Sequence, residues 1–197
     1  FPISKDSFWR KMRRDILGVT GYQRRMEFFR MEMGHDPSRL QRWKKLFQAE
    51  KYFALSNLVI FAVTTAVGVW WAYFALWLLP LLTWYQVISR IRNIAEHAVV
   101  GDNNDRLRNT RTTMANWGMR MVLAPYWVNY HLEHHLFVFT PCWKLPAAHR
   151  MLIEQGFGPR MELAQGYVQV LRKAISNPSD DPEHGTPADQ RKRAALI

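Results

Sequence analysis

The amino-acid sequence predicts an all-α protein in which a helical hairpin is embedded in a membrane and cytosolic helices carry closely spaced histidines. Three observations lead to this fold class. An apolar run over residues 52–89 contains no charged residue and no histidine, basic residues flank it on both sides, and a His-x-x-His-His pattern follows it. Apolar residues outside the run recur at helical rather than alternating spacing, which predicts helices there as well.

Composition narrows the possible partners of the protein and the kinds of metal site that it could contain. The chain of 197 residues has a net charge of +11, which is compatible with nucleic acid, anionic lipid or an acidic protein as partner. Its single cysteine, Cys142, excludes an internal disulfide and a cysteine-based metal cluster, so a metal would need histidine and oxygen ligands. The chain begins at Phe1 without a signal-peptide pattern, and we expect a further segment upstream of it.

Residues 1–51 form the first predicted part, a basic region of cytosolic or interfacial helices. They contain thirteen Lys or Arg and six Asp or Glu. Phe8, Met12 and Ile16 recur every four residues and would share one helix face. That face either lies on a membrane surface or packs on the rest of the protein, and the sequence leaves both interpretations open.

Residues 52–89 form the predicted transmembrane hairpin. A single helix over these 38 residues would be roughly 57 Å long, nearly twice the roughly 30 Å thickness of the hydrocarbon layer. We therefore predict two crossings of about 17 to 19 residues each, with a turn at Gly68 to Trp71 and a kink at Pro80. The flanking basic residues predict that both ends face the cytoplasm, which makes an integral, multi-pass membrane protein. The alternative is a buried core hairpin of a soluble helical protein.

Two further parts complete the predicted organisation. Residues 90–176 are expected to form cytosolic helices that carry the histidines, interrupted by loops at residues 101–111 and 141–146. Residues 177–197 contain three Pro and lack apolar periodicity, so they are predicted to be a disordered tail.

The segment Tyr130-His-Leu-Glu-His-His135 carries the strongest chemical signal. On a helix, residues three and four apart share a face, so His131, His134 and His135 can surround one point in space. Neutral imidazole is a good ligand for transition metals, and three of them on one face suit a metal better than packing. The pattern predicts a metal site, against the alternative of a polar helix surface.

A second candidate segment, Arg92-Asn-Ile-Ala-Glu-His97, directly follows the apolar run. Asn93 and His97 stand one helical turn apart and can point at the same site. Glu96 and Glu133 each adjoin a histidine, and they either orient metal ligands through hydrogen bonds or are exposed to solvent. We interpret His35, which has no second histidine within helical reach, as a surface or turn residue.

Several of these segments together resemble the membrane fatty acid desaturase family. The similarity covers roughly residues 52–173. It is carried by the nonapeptide at 129–137, the hexapeptide at 92–97, Arg111-Thr112-Thr113, and Leu145-Pro146 followed by His149.

The resemblance implies a set of metal ligands. The family has three histidine boxes on the cytosolic side of four membrane helices, and these boxes hold two iron ions that activate dioxygen. His131, His134 and His135 resemble the last box, His97 resembles an additional ligand, and Asn93 resembles an asparagine that reaches one iron through water. The first two boxes are absent from this sequence, so we expect the chain alone to bind iron weakly and to be inactive.

The resemblance also implies an activity and partners. The expected enzyme is a desaturase, an oxidoreductase of lipid metabolism that introduces a double bond into an acyl chain. Electrons would come from an external cytochrome b5-like or ferredoxin-like donor that meets the basic face. The aromatic residues Trp84, Trp117, Trp127, Phe137 and Phe139 either line a substrate tunnel or form an interfacial belt. His149 is expected to support the metal site, to help electron entry, or to serve an ordinary structural role.

Three other functions remain open from the sequence. A hydroxylase or ketolase on the same scaffold would insert oxygen into alkanes or carotenoids. A zinc-stabilised membrane protein would use the histidines without redox chemistry. A basic membrane-anchored module would bind anionic lipid or nucleic acid, although the clustered Trp and the apolar run argue against nucleic acid.

Overall fold

A computed structural model describes residues 2–175 of the chain. The predicted disordered tail at residues 177–197 lies outside the described residues. The described part is mostly helical, which confirms the predicted fold class in its coarse form. The chain divides into two compact units, the first comprising Phe1–Arg10 and Ile88–Ile197 and the second comprising Lys11–Val87.

The elements follow one another as short and long helices. The helices are α1 (Lys5–Ile16), α2 (Val19–Met33), α3 (Arg39–Ala66), a π-helix (Tyr73–Leu78), α4 (Leu79–Leu82), α5 (Trp84–His97), α6 (Trp117–Val122), α7 (His131–Leu136), α8 (Leu145–Glu154) and α9 (Tyr167–Ala174). Single 3₁₀ turns lie at Pro125–Trp127, Cys142–Lys144 and Gly158–Arg160. The strands are β1 (Thr112–Thr113) and β2 (Leu163–Ala164).

Two helical stretches are long and apolar enough to cross a membrane, Arg39–Ala66 and Tyr73–His97. Very little of the most apolar part of either stretch is buried within the structure. A core helix of a soluble protein would be mostly buried, so neither stretch has the burial expected of a soluble core hairpin. The break between the two stretches contains the turn predicted at Gly68 to Trp71, and Gly68 adopts a left-handed φ of 80° there.

Both helices extend beyond the predicted hairpin. α3 begins at Arg39, well before the apolar run starts at Tyr52, and α5 continues past Ser89 to His97. Charge decides where a helix leaves the lipid, whereas backbone hydrogen bonding decides where it ends, so the two limits need not coincide. Around Pro80, which lacks an N–H donor, the second stretch changes from π-helix to α-helix and is interrupted again at Thr83.

Polar side chains join the helices of the second unit. Asn57 Oδ1 of α3 accepts hydrogen bonds from Tyr73 Oη (3.0 Å) and Trp77 Nε1 (3.1 Å) of the π-helix. These two hydrogen bonds link α3 to the π-helix. Within the basic region, Arg25 of α2 forms an ion pair with Glu50 of α3.

Gly21 marks a very close approach between α2 and the end of α4. A Cβ atom at this position would lie 2.8 Å from Leu82 Cα and closer still to the Leu82 carbonyl oxygen. Because both contacts are to backbone, Gly21→Ala is expected to lower the free energy of unfolding by about 2 to 3 kcal/mol. Thermal unfolding in detergent would measure the loss.

Gly118→Ala is the matched control for this prediction. Gly118 lies in α6, and the nearest atom to an added Cβ is Asn116 Oδ1 at 3.7 Å. The change should be neutral or stabilise the chain by up to about 1 kcal/mol, since alanine favours helix. Equal melting temperatures for the two variants would contradict the close approach.

The first unit is built around a small apolar core. Leu107, Leu132, Leu152 and Met161 pack against one another, with Leu136, Phe137 and Phe157 at the edge. β1 pairs in parallel with β2, with Thr112 opposite Leu163 and Thr113 opposite Ala164. A two-residue pairing is too short to show alternation in sequence, which is why the all-α prediction did not contain it.

Of the two loops predicted in this unit, the first is confirmed by the structure and the second is wrong. Residues 101–111 form turns and bends, as predicted. Residues 141–146 instead form a 3₁₀ turn and the beginning of α8. Pro146 lies in the first turn of α8, where its missing N–H costs no helical hydrogen bond, so a proline that suggested a loop in fact begins a helix.

Candidate metal centre

Two helix ends of the first unit carry the candidate ligands. His97 is the last residue of α5, and His131 is the first residue of α7. His135 lies four residues after His131, slightly more than one turn, and therefore on the same face. Leu132, the next residue of α7, is buried in the apolar core, which fixes the side of the helix that faces inward.

Three imidazoles converge through their Nε2 atoms. His131 Nε2 lies 3.0 Å from His97 Nε2 and 3.0 Å from His135 Nε2. Two nitrogens each about 2.0–2.1 Å from one ion and at roughly a right angle would be about 3.0 Å apart, so the donor set fits a single transition metal. His131 is half-buried while His97 and His135 are exposed, which leaves one side of the group open to further ligands.

His134 is not one of the three converging residues. The ring centre of His134 lies 5.8 Å from that of His131 and 5.9 Å from that of His135, and its side chain is exposed. A residue three positions along a helix is rotated about 60° to one side, whereas one four positions along is rotated about 40° to the other, so His135 aligns better with His131. Asn93 is also exposed, one turn before His97 on α5.

Glu96 lies behind the His131 ring. Its Oε2 atom is 3.9 Å from His131 Nδ1, on the side of the ring away from the other histidines, and its Oε1 accepts a hydrogen bond from Arg92 Nε at 3.3 Å. The distance of 3.9 Å is too long for a hydrogen bond, but the negative charge of the carboxylate favours the tautomer with the proton on Nδ1, which leaves Nε2 free to bind a metal. Burial raises the pKa of the neighbouring Tyr167 to about 12, and the Glu96 carboxylate adds to this shift.

Glu133 is a completely buried carboxylate on the other side of α7. Thr112 Oγ1 of β1 donates a hydrogen bond to Glu133 Oε2, and His149 Nδ1 of α8 lies 2.6 Å from Glu133 Oε1. Tyr130 packs on His149, with ring centres 5.3 Å apart. The buried positions of Glu96 and Glu133 show that the solvent-exposed interpretation of these residues was wrong.

Sequence reasoning missed the partners of these carboxylates. Thr112 and Tyr167 lie far from the histidines along the chain, and neither carried a signal beyond the resemblance at residues 111–113. His149 was singled out, and the structure places it against Glu133; it is not one of the three converging histidines. His35 is exposed in the turn after α2, as predicted.

Two of the candidate ligand rings, His131 and His135, favour the neutral state. Burial, followed by the nearby His97, His135 and His134 rings and by Arg92, lowers the pKa of His131 to about 3. Burial, with His97 and His134, also lowers the pKa of His135. Neutral imidazole is the form that binds a metal, so the surroundings prepare the ligands at physiological pH.

The shifted pKa of His131 predicts a stability that depends on pH. An exposed imidazole titrates near 6.5, so between this value and about 3 the unfolded chain binds a proton at His131 that the folded chain does not. The free energy of unfolding of the metal-free chain is therefore expected to fall as the pH is lowered through this range. Denaturation at pH 7 and pH 4.5 would measure it, and a His131→Gln variant should lose less stability on acidification. Equal losses would contradict the assignment.

The aromatic residues expected in a tunnel or belt have separate places. Trp117 and Trp127 line an apolar pocket of about 320 Å³ together with Arg120, Met121, Ala124, Pro125 and Tyr126. Phe137 packs at the edge of the apolar core, while Phe139 and Trp84 are exposed. These placements do not distinguish a substrate tunnel from an interfacial belt, so both interpretations stay predictions.

Comparisons with known proteins give independent information about the family to which the chain belongs. A family model described as "Fatty acid desaturase" matches residues 1–164. Among curated proteins, the chain is 27% identical over 150 residues to a protein named dihydrorhizobitoxine desaturase from Bradyrhizobium elkanii. The matched region is 73% of this chain and 40% of that relative, so the chain spans well under half the length of the relative. No solved structure matches the chain significantly.

Proposed function

Because the chain belongs to the fatty acid desaturase family, we propose that it forms part of a membrane oxidoreductase that uses iron and dioxygen to introduce a double bond into a lipid acyl chain. The observation that carries this proposal is the convergence of three Nε2 atoms from His97, His131 and His135 at the ends of two helices. His97 and His131 are 34 positions apart in the sequence and meet only in the folded chain.

The proposed ligands have distinct roles. His97, His131 and His135 hold one metal ion, and Glu96 keeps the proton on Nδ1 of His131 so that Nε2 stays available. His134, which is not one of the three converging residues, and Asn93 are proposed to serve the second iron of the pair, Asn93 through water. Bound iron would supply the activation of dioxygen needed to remove hydrogen from an unactivated C–H bond.

Two irons need more ligands than these five residues provide. The open side of the histidine group, where His97 and His135 are exposed, is where the remaining ligands of the complete protein are proposed to approach. The 197-residue chain alone is therefore expected to bind less iron per chain than the complete protein and to be inactive. Equal iron content of the two would contradict this part of the proposal.

Membrane location and electron supply follow from the same proposal. The stretches Arg39–Ala66 and Tyr73–His97 are proposed to cross the membrane with their basic flanks on the cytoplasmic side, which places the histidines there as well. The net charge of +11 would suit an acidic electron donor of the cytochrome b5 or ferredoxin kind. Nucleic acid is not proposed as a partner.

Lipid analysis tests the proposed reaction. A host that expresses the complete protein should accumulate an acyl chain with one additional double bond, detected by gas chromatography and mass spectrometry. The same protein with His131→Ala should produce none. A product that retains oxygen would identify a hydroxylase or ketolase instead, and one equivalent of zinc without any new product would identify a zinc-stabilised membrane protein.

A further inference from the structure

Arg111 is a buried cation at the end of the helix that carries His97. Its Nη1 donates to the carbonyl oxygens of Ala95 (3.3 Å) and Ala98 (3.0 Å), and its Nη2 donates to that of Val99 (2.6 Å). The backbone N–H of Arg111 donates to the Glu96 carbonyl oxygen at 2.9 Å. A guanidinium in this place satisfies carbonyl groups that the helix end leaves without partners and suits the negative end of the helix dipole.

The backbone just after His97 has a strained conformation, which the contacts of Arg111 stabilise. Val99 has a φ of 51°, a left-handed conformation that a β-branched residue rarely adopts. Strained residues of this kind persist only where surrounding contacts hold them. Arg111 supplies them, and Glu162 holds Arg111 in turn through contacts of 3.1 and 3.4 Å between its Oε1 and the guanidinium nitrogens.

The next residue, Thr112, contacts the helix that carries the other two histidines. Its hydroxyl donates to the buried Glu133 of α7, and its backbone forms a bridge with Tyr130 just before α7. Its backbone N–H donates to the Glu162 carbonyl oxygen at 3.0 Å, within the pairing of β1 and β2. Arg111 and Thr112, which are consecutive in sequence, thus contact two different helices, α5 and α7.

We propose that Arg111 and Thr112 are positioning residues that set the separation between His97 and the His131–His135 pair. Their Cα atoms are about 3.8 Å apart across one peptide bond, so the two contacts form a short and stiff link between α5 and α7. Nε2 separations of 3.0 Å tolerate little movement, because metal–ligand distances vary by only about 0.2 Å. This inference rests on the proposed metal site, and it adds residues that contact no metal.

Thr112 and Thr113 offer a matched test of the hydroxyl. Both side chains are buried in the same strand, but Thr113 Oγ1 has no hydrogen-bond partner among residues 2–175. Thr112→Val keeps the shape of the side chain and removes the hydroxyl, Thr112→Ser keeps the hydroxyl, and Thr113→Val removes the hydroxyl that has no partner. Each variant of the 197-residue chain in detergent would be titrated with Co²⁺, and its visible spectrum recorded, under conditions where thermal unfolding shows it folded.

Thr112→Val is expected to weaken Co²⁺ binding by about 10- to 100-fold and to change the cobalt spectrum, as loss of a group that orients metal ligands does. Thr112→Ser and Thr113→Val should bind Co²⁺ like the unchanged chain. If Thr112→Val does not fold, Arg111→Lys tests the other contact. Lysine has a single nitrogen in place of the planar guanidinium fork, so it cannot reproduce all of these contacts and should also weaken binding.

The outcomes separate this inference from the metal site on which it rests. If the unchanged chain binds Co²⁺ and His131→Ala does not, but Thr112→Val matches Thr113→Val in affinity and spectrum, the positioning role is wrong and the metal site stands. If the unchanged chain binds no Co²⁺, or binds it equally well after His131→Ala, the metal site itself is refuted, and the positioning role with it.

Discussion

His131→Ala is expected to remove metal binding from the chain and catalysis from the complete enzyme. His131 is the shared member of the cluster, since its Nε2 lies 3.0 Å from both of the other two. Without it, His97 and His135 lose the ligand that links them, and their remaining pair binds a divalent ion weakly. We expect Co²⁺ affinity to fall by at least about 100-fold, equivalent to about 2.8 kcal/mol.

The other histidines should form a graded series. His97→Ala and His135→Ala should each weaken Co²⁺ binding clearly, because each removes one of the three converging nitrogens. His134→Ala should have a smaller effect in the isolated chain, since its ring stands apart, yet it should lower activity in the complete enzyme if it serves the second iron. His35→Ala, at an exposed turn, is the control and should change neither quantity. A loss for His35→Ala equal to that for His131→Ala would mean that binding is non-specific.

Glu133→Ala is expected to have the largest effect on stability. The carboxylate is fully buried, and its removal leaves the Thr112 hydroxyl and the His149 Nδ1 without their partner as well as a cavity in the core. Unsatisfied buried polar groups cost about 1 to 3 kcal/mol each, so the free energy of unfolding should fall by about 3 to 5 kcal/mol. Denaturant or thermal unfolding of the metal-free chain would measure this.

Two comparisons show whether the effect comes from the buried contacts. Glu133→Gln keeps the volume and can still accept a hydrogen bond from Thr112, so it should lose only about 1 to 2 kcal/mol. Glu154→Ala removes an exposed glutamate from α8 and should change stability by less than about 0.5 kcal/mol. If Glu133→Ala were as mild as Glu154→Ala, the buried hydrogen bonds would not be stabilising the fold.

Local features of the chain were predictable because they depend on neighbouring residues. The uncharged run from Tyr52 to Ser89 leads to two long apolar helices, and its single well-placed glycine, Gly68, lies in the break between them. Spacing of three and four residues made His131 and His135 candidates for one face. The loop prediction was wrong at Pro146 because proline is common both in loops and in the first turn of a helix.

The sequence by itself determined the helical class, the apolar stretches and the set of histidines, since each follows from composition or from spacing within a turn or two. Only the tertiary structure decided that His97 joins His131 and His135 while His134 stands aside, and that Thr112 and His149 hold a buried Glu133. The physical reason is distance along the chain. Thr112 and Glu133 are 21 residues apart and meet only when a two-residue strand pairing and a small apolar core set the angle between two helices, which no local pattern encodes.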